Sequence, residues 1–231
     1  MSRSASRSRR RNGAAWLALA WLAAAALARA DDWQPVLSDD GVSVRERPAP
    51  GRTLPDFQGE VVIDADPYQI LAVITDVPAQ TTWMWQCVES RVLESGGDGV
   101  QVIHHRIKAH WPATDRDVVF RSIARVVEPG RRVSVRFSSE SNAAAPPSSG
   151  LVRMPLLDGE FDVVALAPER SRVTYTVAAD PGGLLPARFL SETVRQSPFD
   201  TLVGLRRRVA EMRGRYADVI ARLRALQPPA R

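Results

Sequence analysis

The chain has 231 residues, 45% apolar and 25% charged, which suffices for one sizeable hydrophobic core and not for two. Its single cysteine, Cys87, excludes an intrachain disulfide framework and a thiolate metal cluster, and the mixed composition excludes collagen-like and wholly disordered chains. The net charge of +5 is concentrated at the front, where residues 1–30 carry six arginines and no acid; the remainder holds 25 basic against 26 acidic groups, so no nucleic-acid partner is expected despite the short run Arg206-Arg207-Arg208.

Met1–Gly13 is rich in Arg and Ser, residues 14–28 form an uncharged run of Ala, Leu and Trp, and Ala28-Arg29-Ala30 places small residues around a cleavage point before Asp31. This is the three-part layout of a secretory signal, and it predicts export across a bacterial inner membrane, cleavage after Ala30 and a periplasmic mature chain. The fifteen apolar residues are fewer than the roughly 20 that cross a bilayer, so an uncleaved inner-membrane anchor is the alternative. Arg9-Arg10-Arg11 leaves the general and twin-arginine routes both open, and no Cys follows the run to carry a lipid.

From Asp31 onward the pattern becomes period two, the signature of half-buried strands. Val42–Arg47 and Phe57–Ile63 are the first two predicted strands. Asp66-Pro67 then opens a short helix, with Asp66 as cap, Pro67 at the first helical position and Ile70, Leu71 and Ile74 on one face, until Pro78 interrupts it. Cys87–Leu93, Val100–Lys108, Asp117–Val127, Arg131–Ser138, Gly150–Ala167 and Ser171–Ala178 continue an antiparallel meander. Ser138–Gly150 is a long loop of small and turn-forming residues.

A sheet of that length needs a cover for one face, and the C-terminal helix, predicted from near Pro186 to about Leu226, is the only segment large enough. The expected fold class is therefore α+β, a long curved antiparallel sheet wrapped around a C-terminal helix with an apolar cavity between them. Residues 31–213 would form this domain and residues 214–231 a helical extension and tail. Apolar residues at Leu202, Leu205, Val209, Met212, Tyr216, Val219, Leu223 and Leu226 alternate steps of three and four, a heptad seam. Its first half, Leu202 and Leu205, is expected to close the cavity; the extension would pack on its own domain, pair with another chain or lie on a membrane.

Strand alternation selects the cavity face. Val118, Phe120 and Ser122 form the uncharged face of their strand, opposite Val119, Arg121, Ile123 and Arg125. On the preceding strand His105 shares a face with Ile103 and Ile107 and is the expected inward histidine, whereas His104 points the other way, which rules out joint metal binding. Met154 is a further lining candidate, and Trp83, Trp85 and Trp111 are core or lid. Arg116-Asp117 reads as a structural ion pair at a strand corner begun by Pro112.

The stretch from Val102 to Val119, with Lys108, Trp111-Pro112 and Arg116-Asp117, resembles the middle of the START domain, the steroidogenic-acute-regulatory-related lipid-transfer family. A second block, Arg172 to Pro186 with Asp180-Pro181-Gly182-Gly183, resembles the family's last strand and its entry into the final helix. The resemblance covers roughly residues 33–212. It implies a helix-grip fold, a carrier of a lipid or other hydrophobic molecule with transient membrane contact and no cofactor, and an Ω-loop at Ser138–Gly150 that gates ligand entry; with the signal-like segment, the carrier would be an exported one. It also places the family's choline cage at His105, Val118 and Phe120, where only Phe120 is a full aromatic, so a choline lipid is not expected.

The alternatives are a helix-grip enzyme using His105 with Arg116 or Asp117 as acid–base groups, and an interaction module that self-associates through the C-terminal seam. No Gly-rich phosphate loop, nucleophile elbow or metal-spaced ligand pair accompanies His105.

Overall fold

A computed structural model of the chain describes residues 33–111, 113–183 and 187–225, with side chains of the last segment described from Val194 onward. The signal-like segment, Pro112 and Leu226 lie outside the described residues. No helix among the described residues is long and apolar enough to cross a membrane.

The strands are β1 (Gln34–Asp39), β2 (Val42–Arg47), β3 (Asp56–Ile63), β4 (Cys87–Ser95), β5 (Val100–Ile107), β6 (Arg116–Glu128), β7 (Arg132–Ser139), β8 (Val152–Arg153), β9 (Leu156–Ala167) and β10 (Arg170–Asp180). The helices are α1 (Pro67–Thr75), α2 (Ala187–Glu211) and α3 (Ala217–Ala225), with a 3₁₀ turn at Val77–Thr82. One sheet holds every strand in the order β1-β2-β3-β10-β9-β7-β6-β5-β4, antiparallel throughout, and the two residues of β8 add a parallel bridge to the start of β6. This is the helix-grip fold expected from the pattern: a curved antiparallel sheet closed over α2.

Local chemistry explains the elements. Asp66 caps α1 by accepting from the N–H groups of Tyr68 (2.8 Å) and Gln69 (3.2 Å), and Pro67 fills the first position, where no N–H is needed. Phe57, Val61, Ile63, Val118, Phe120, Val133, Val135, Phe161, Val173 and Val177 alternate along their strands and form the core with Ile70, Leu71, Leu202 and Leu205 from the helices. Gly204 sets how closely α2 approaches: a Cβ there would lie 2.1 Å from the Trp83 carbonyl oxygen, so only glycine lets the helix press against that backbone.

Three expectations change. Gln34–Asp39 is a strand that the pattern did not show. Gly150–Ala167 is not one strand but two, separated at Pro155, whose missing N–H cannot join a ladder. The long C-terminal helix is broken: Gly214 and Tyr216 both have positive φ, 72° and 68°, and the chain turns between Glu211 and Ala217. Of the three placements weighed for the extension, the structure shows packing on its own domain. Leu223 is buried, Tyr216 Oη donates to Asp76 Oδ2 (2.7 Å), and Gln69 Nε2 donates to the Met212 carbonyl (3.0 Å). The second half of the seam is thus laid against α1 of its own chain.

Candidate functional site

Between the sheet and α2 lies a cavity of about 350 Å³. Phe57, Tyr175 and Val177 from β3 and β10, Leu157 from β9, Cys87, His105 and Ile107 from β4 and β5, and Met84 and Trp85 form its apolar walls. Its solvent end is framed by Lys108–Trp111 and Ala113 in the β5–β6 connection, by Pro181 after β10, and by Val194 and Ser197 of α2. A second space of about 40 Å³ sits deeper, against α1 and β5–β7, and shares Met84, His105, Leu157 and Tyr175 with the first.

The candidate residues divide. His105 and Met154 line the main cavity, and His105, Phe120 and Ser122 line the deeper one. Val118 is fully buried in the core and lines neither. Leu202 and Leu205 are likewise fully buried and line neither space, Leu202 lying over Gly59 of the sheet, and Val194, Ser197 and Thr201 supply the helix's cavity stripe instead. One residue is 100° around a helix, so the stripe ending at Thr201 and the seam starting at Leu202 are neighbouring faces rather than the same one.

Arg116 and Asp117 do not pair with each other. Adjacent strand residues point to opposite faces. Asp117 faces outward, where its carboxylate accepts from Arg153 Nε (3.0 Å) and Nη2 (2.6 Å) and from His104 Nε2 (3.0 Å). Burial alone would raise its pKa, but these hydrogen bonds more than offset that and hold the carboxyl below its usual range. Arg116 faces inward and lines the main cavity. The loop expected to gate entry packs over the outer network: Ala145 is buried against Val102 and Val119, and Arg153 Nη2 donates to the Ala145 carbonyl (3.0 Å). Among the described residues none from Ser139 to Leu151 lines the cavity, and the β5–β6 connection stands at the entrance instead.

The chemistry of His105 follows from its neighbour Gln80, which the pattern did not single out. Gln80 Nε2 donates to the Ile74 carbonyl (2.9 Å), which turns Oε1 towards Ser90 Oγ (2.9 Å) and His105 Nε2 (2.7 Å). An amide oxygen only accepts, so His105 carries its proton on Nε2 and keeps Nδ1 as an acceptor. Burial, with a smaller repulsion from His104, pulls the ring pKa to about 3. His105 therefore stands neutral at ordinary pH, edge-on to Phe120 at 4.8 Å. Tyr175, also missed although it alternates with Val173 and Val177, stacks on Phe161 at 4.2 Å, and burial pushes its hydroxyl pKa up. The Cys87 thiol is pushed up to about 12 by burial and stays protonated. Apart from Arg116 and the rim Lys108, the walls are thus apolar with a few fixed, neutral polar groups, a lining suited to holding an apolar chain or ring system.

Comparison with known proteins agrees with this architecture. The START domain family matches residues 18–214. An uncharacterised protein of Pseudomonas aeruginosa is 30% identical over 190 residues, covering 82% of this chain and 93% of that one. The crystal structure of a STAR-related lipid transfer protein from Xanthomonas axonopodis superposes with a TM-score of 0.71 at 29% identity, over 78% of this chain and 99% of that one. Human StAR-related lipid transfer protein 5 shares the fold, with a TM-score of 0.71 at 19% identity over 86% of this chain and 97% of that one. The family match runs through both motif blocks and all ten strands, and on that ground the chain belongs to the START domain family.

Proposed function

We propose that this protein is an exported lipid carrier that holds a hydrophobic molecule in the cavity under α2 and delivers it at a membrane surface. The observation that carries the reading is the cavity of about 350 Å³, walled by apolar side chains and open at one end. Each methylene moved from water into such a space gains about 0.8 kcal/mol, so an acyl or ring system is held without any reaction. The names of the Xanthomonas and human relatives as lipid transfer proteins support the same reading.

Delivery needs contact with a bilayer, and the residues at the entrance support that reading. Trp111 is 92% exposed beside the cavity mouth, next to Lys108 and His110. An indole and a cation side by side suit the interfacial zone of an anionic membrane. The tripartite segment at residues 1–30 supports a periplasmic setting for this exchange.

The test is native mass spectrometry of the protein purified from a bacterial periplasm, with organic extraction of whatever accompanies it. A stoichiometric lipid-like mass is expected and would name the cargo class. A protein that is reproducibly empty and takes up no added lipid would overturn the carrier reading.

A further inference from the structure

Within the cavity one group does not fit a purely apolar cargo. Arg116 is only 6% exposed and lines the cavity, and its hydrogen bond among the described residues is from Nη1 to the Thr114 carbonyl. No carboxylate among the described residues lies within ion-pair distance of it. Asp117, its sequence neighbour, is committed on the far side of the sheet to Arg153 and His104. Asp115 attracts the guanidinium from further away, but its own oxygens face the Ala109 N–H (3.0 Å) and Lys108 Nζ (3.9 Å).

A guanidinium has five donors and keeps its proton in proteins, and a buried cation is costly unless an anion meets it. Burial depresses this group's pKa, and the more distant Asp115 offsets that only in part. Arg116 Nη2 is 3.9 Å from where a Cβ of Gly183 would stand, and Gly183 has positive φ, so the turn after β10 places a residue without a side chain beside the guanidinium. Lys108 and His110, on the opposite rim, add no negative charge.

We infer that the missing partner is the cargo: the cavity takes an amphiphile whose oxyanion, a carboxylate or a phosphate, docks on Arg116 while its tail runs inward past Leu157 and Tyr175 towards His105. The inference rests on the carrier reading and narrows it to anionic amphiphiles. Arg116 selects the head group, and the apolar walls accept the tail without regard to it. His105, neutral and offering an acceptor, provides no second anion site at the far end.

The experiment compares three ligands with one tail, oleate, oleyl phosphate and oleyl alcohol, by displacement of a neutral fluorescent probe from the delipidated full chain. At least one of the two anions is expected to bind about ten-fold or more tightly than the alcohol, as a charge-assisted bidentate contact implies, and which anion does so identifies the head group as carboxylate or phosphate. Arg116→Gln should bring anion and alcohol to within about two-fold of each other, chiefly by weakening the anion, and Arg116→Lys should keep part of the preference. The head-group comparison in the unaltered protein stands even if a substitution at this buried position impairs folding. Alcohol binding as tight as that of both anions, or an anion preference that survives in folded Arg116→Gln, would overturn the inference and leave the carrier intact. Failure to bind any of the three would overturn both.

Discussion

The two faces of the β5–β6 pair carry nearly the same polar groups and treat them in opposite ways. Outside, His104, Asp117 and Arg153 are closed on one another under the 140–151 loop, with Ala145, Val102 and Val119 sealing the edge. Inside, one residue along each strand, His105 retains an unused acceptor and Arg116 retains most of its donors. Apart from His104 Nδ1, the outer set is spent on holding a corner together; the inner set faces the cavity and keeps bonding capacity for something that arrives later. Adjacency in sequence is therefore a poor guide to shared role on a strand, where every step changes face.

This contrast can be broken from either side. The largest effect should come from the outer network: Asp117→Ala removes a buried carboxylate from two partners, and about 3 kcal/mol of stability should be lost in urea denaturation. Ligand affinity per folded molecule should not change, and a selective loss of binding without loss of stability would place Asp117 on the wrong side of the comparison.

A smaller effect concerns acid. His105 is neutral when folded, with a pKa near 3 against an ordinary 6.5, so the unfolded chain binds the extra proton and stability falls as pH drops below about 6.5, by about 1.4 kcal/mol per unit. Asp117, whose folded pKa is depressed, adds its loss only at lower pH, around and below the ordinary carboxylate range. His105→Asn should therefore flatten the stability profile between pH 6.5 and 4.5 and leave only the carboxylate part of the fall at lower pH. An unchanged slope in that window would show that the ring is protonated in the folded state. The smallest stability effect, within about 0.5 kcal/mol, is expected for Trp111→Ser at the rim, because the side chain is exposed. Transfer of a bound lipid between vesicles should nevertheless slow while affinity holds, and equal slowing of binding in free solution would tie the residue to the cavity instead.

Strands whose inner residues alternate with polar ones, such as β3, β6 and β7, were legible because period two survives wherever one face is buried. β1 was not: none of its residues is buried, so QPVLSD shows no preferred face. The break after α2 was hidden for the opposite reason. Met212, Tyr216, Val219 and Ile220 pack on the same core on both sides of the turn, so their spacing continues through a helix that does not. At the site, His105, Phe120 and Ser122 followed from alternation, whereas Gln80 sits in a 3₁₀ turn with no periodicity to announce it. The assignment of Leu202 and Leu205 to the cavity failed because a seam marks the most deeply packed stripe, and a ligand space opens beside that stripe.

The pairing of β3 with β10 bears on how the chain reaches this state. Gln58 meets Thr176 across 118 residues, and the two halves of the sheet join only through that ladder. Closing so long a loop comes late, and folds dominated by distant pairings are slow. A chain emerging from its N-terminus must carry β1–β3 with an unpaired edge until Asp180 has appeared. Any truncation before β10 would leave that edge open as a template for aggregation rather than yield a smaller folded unit.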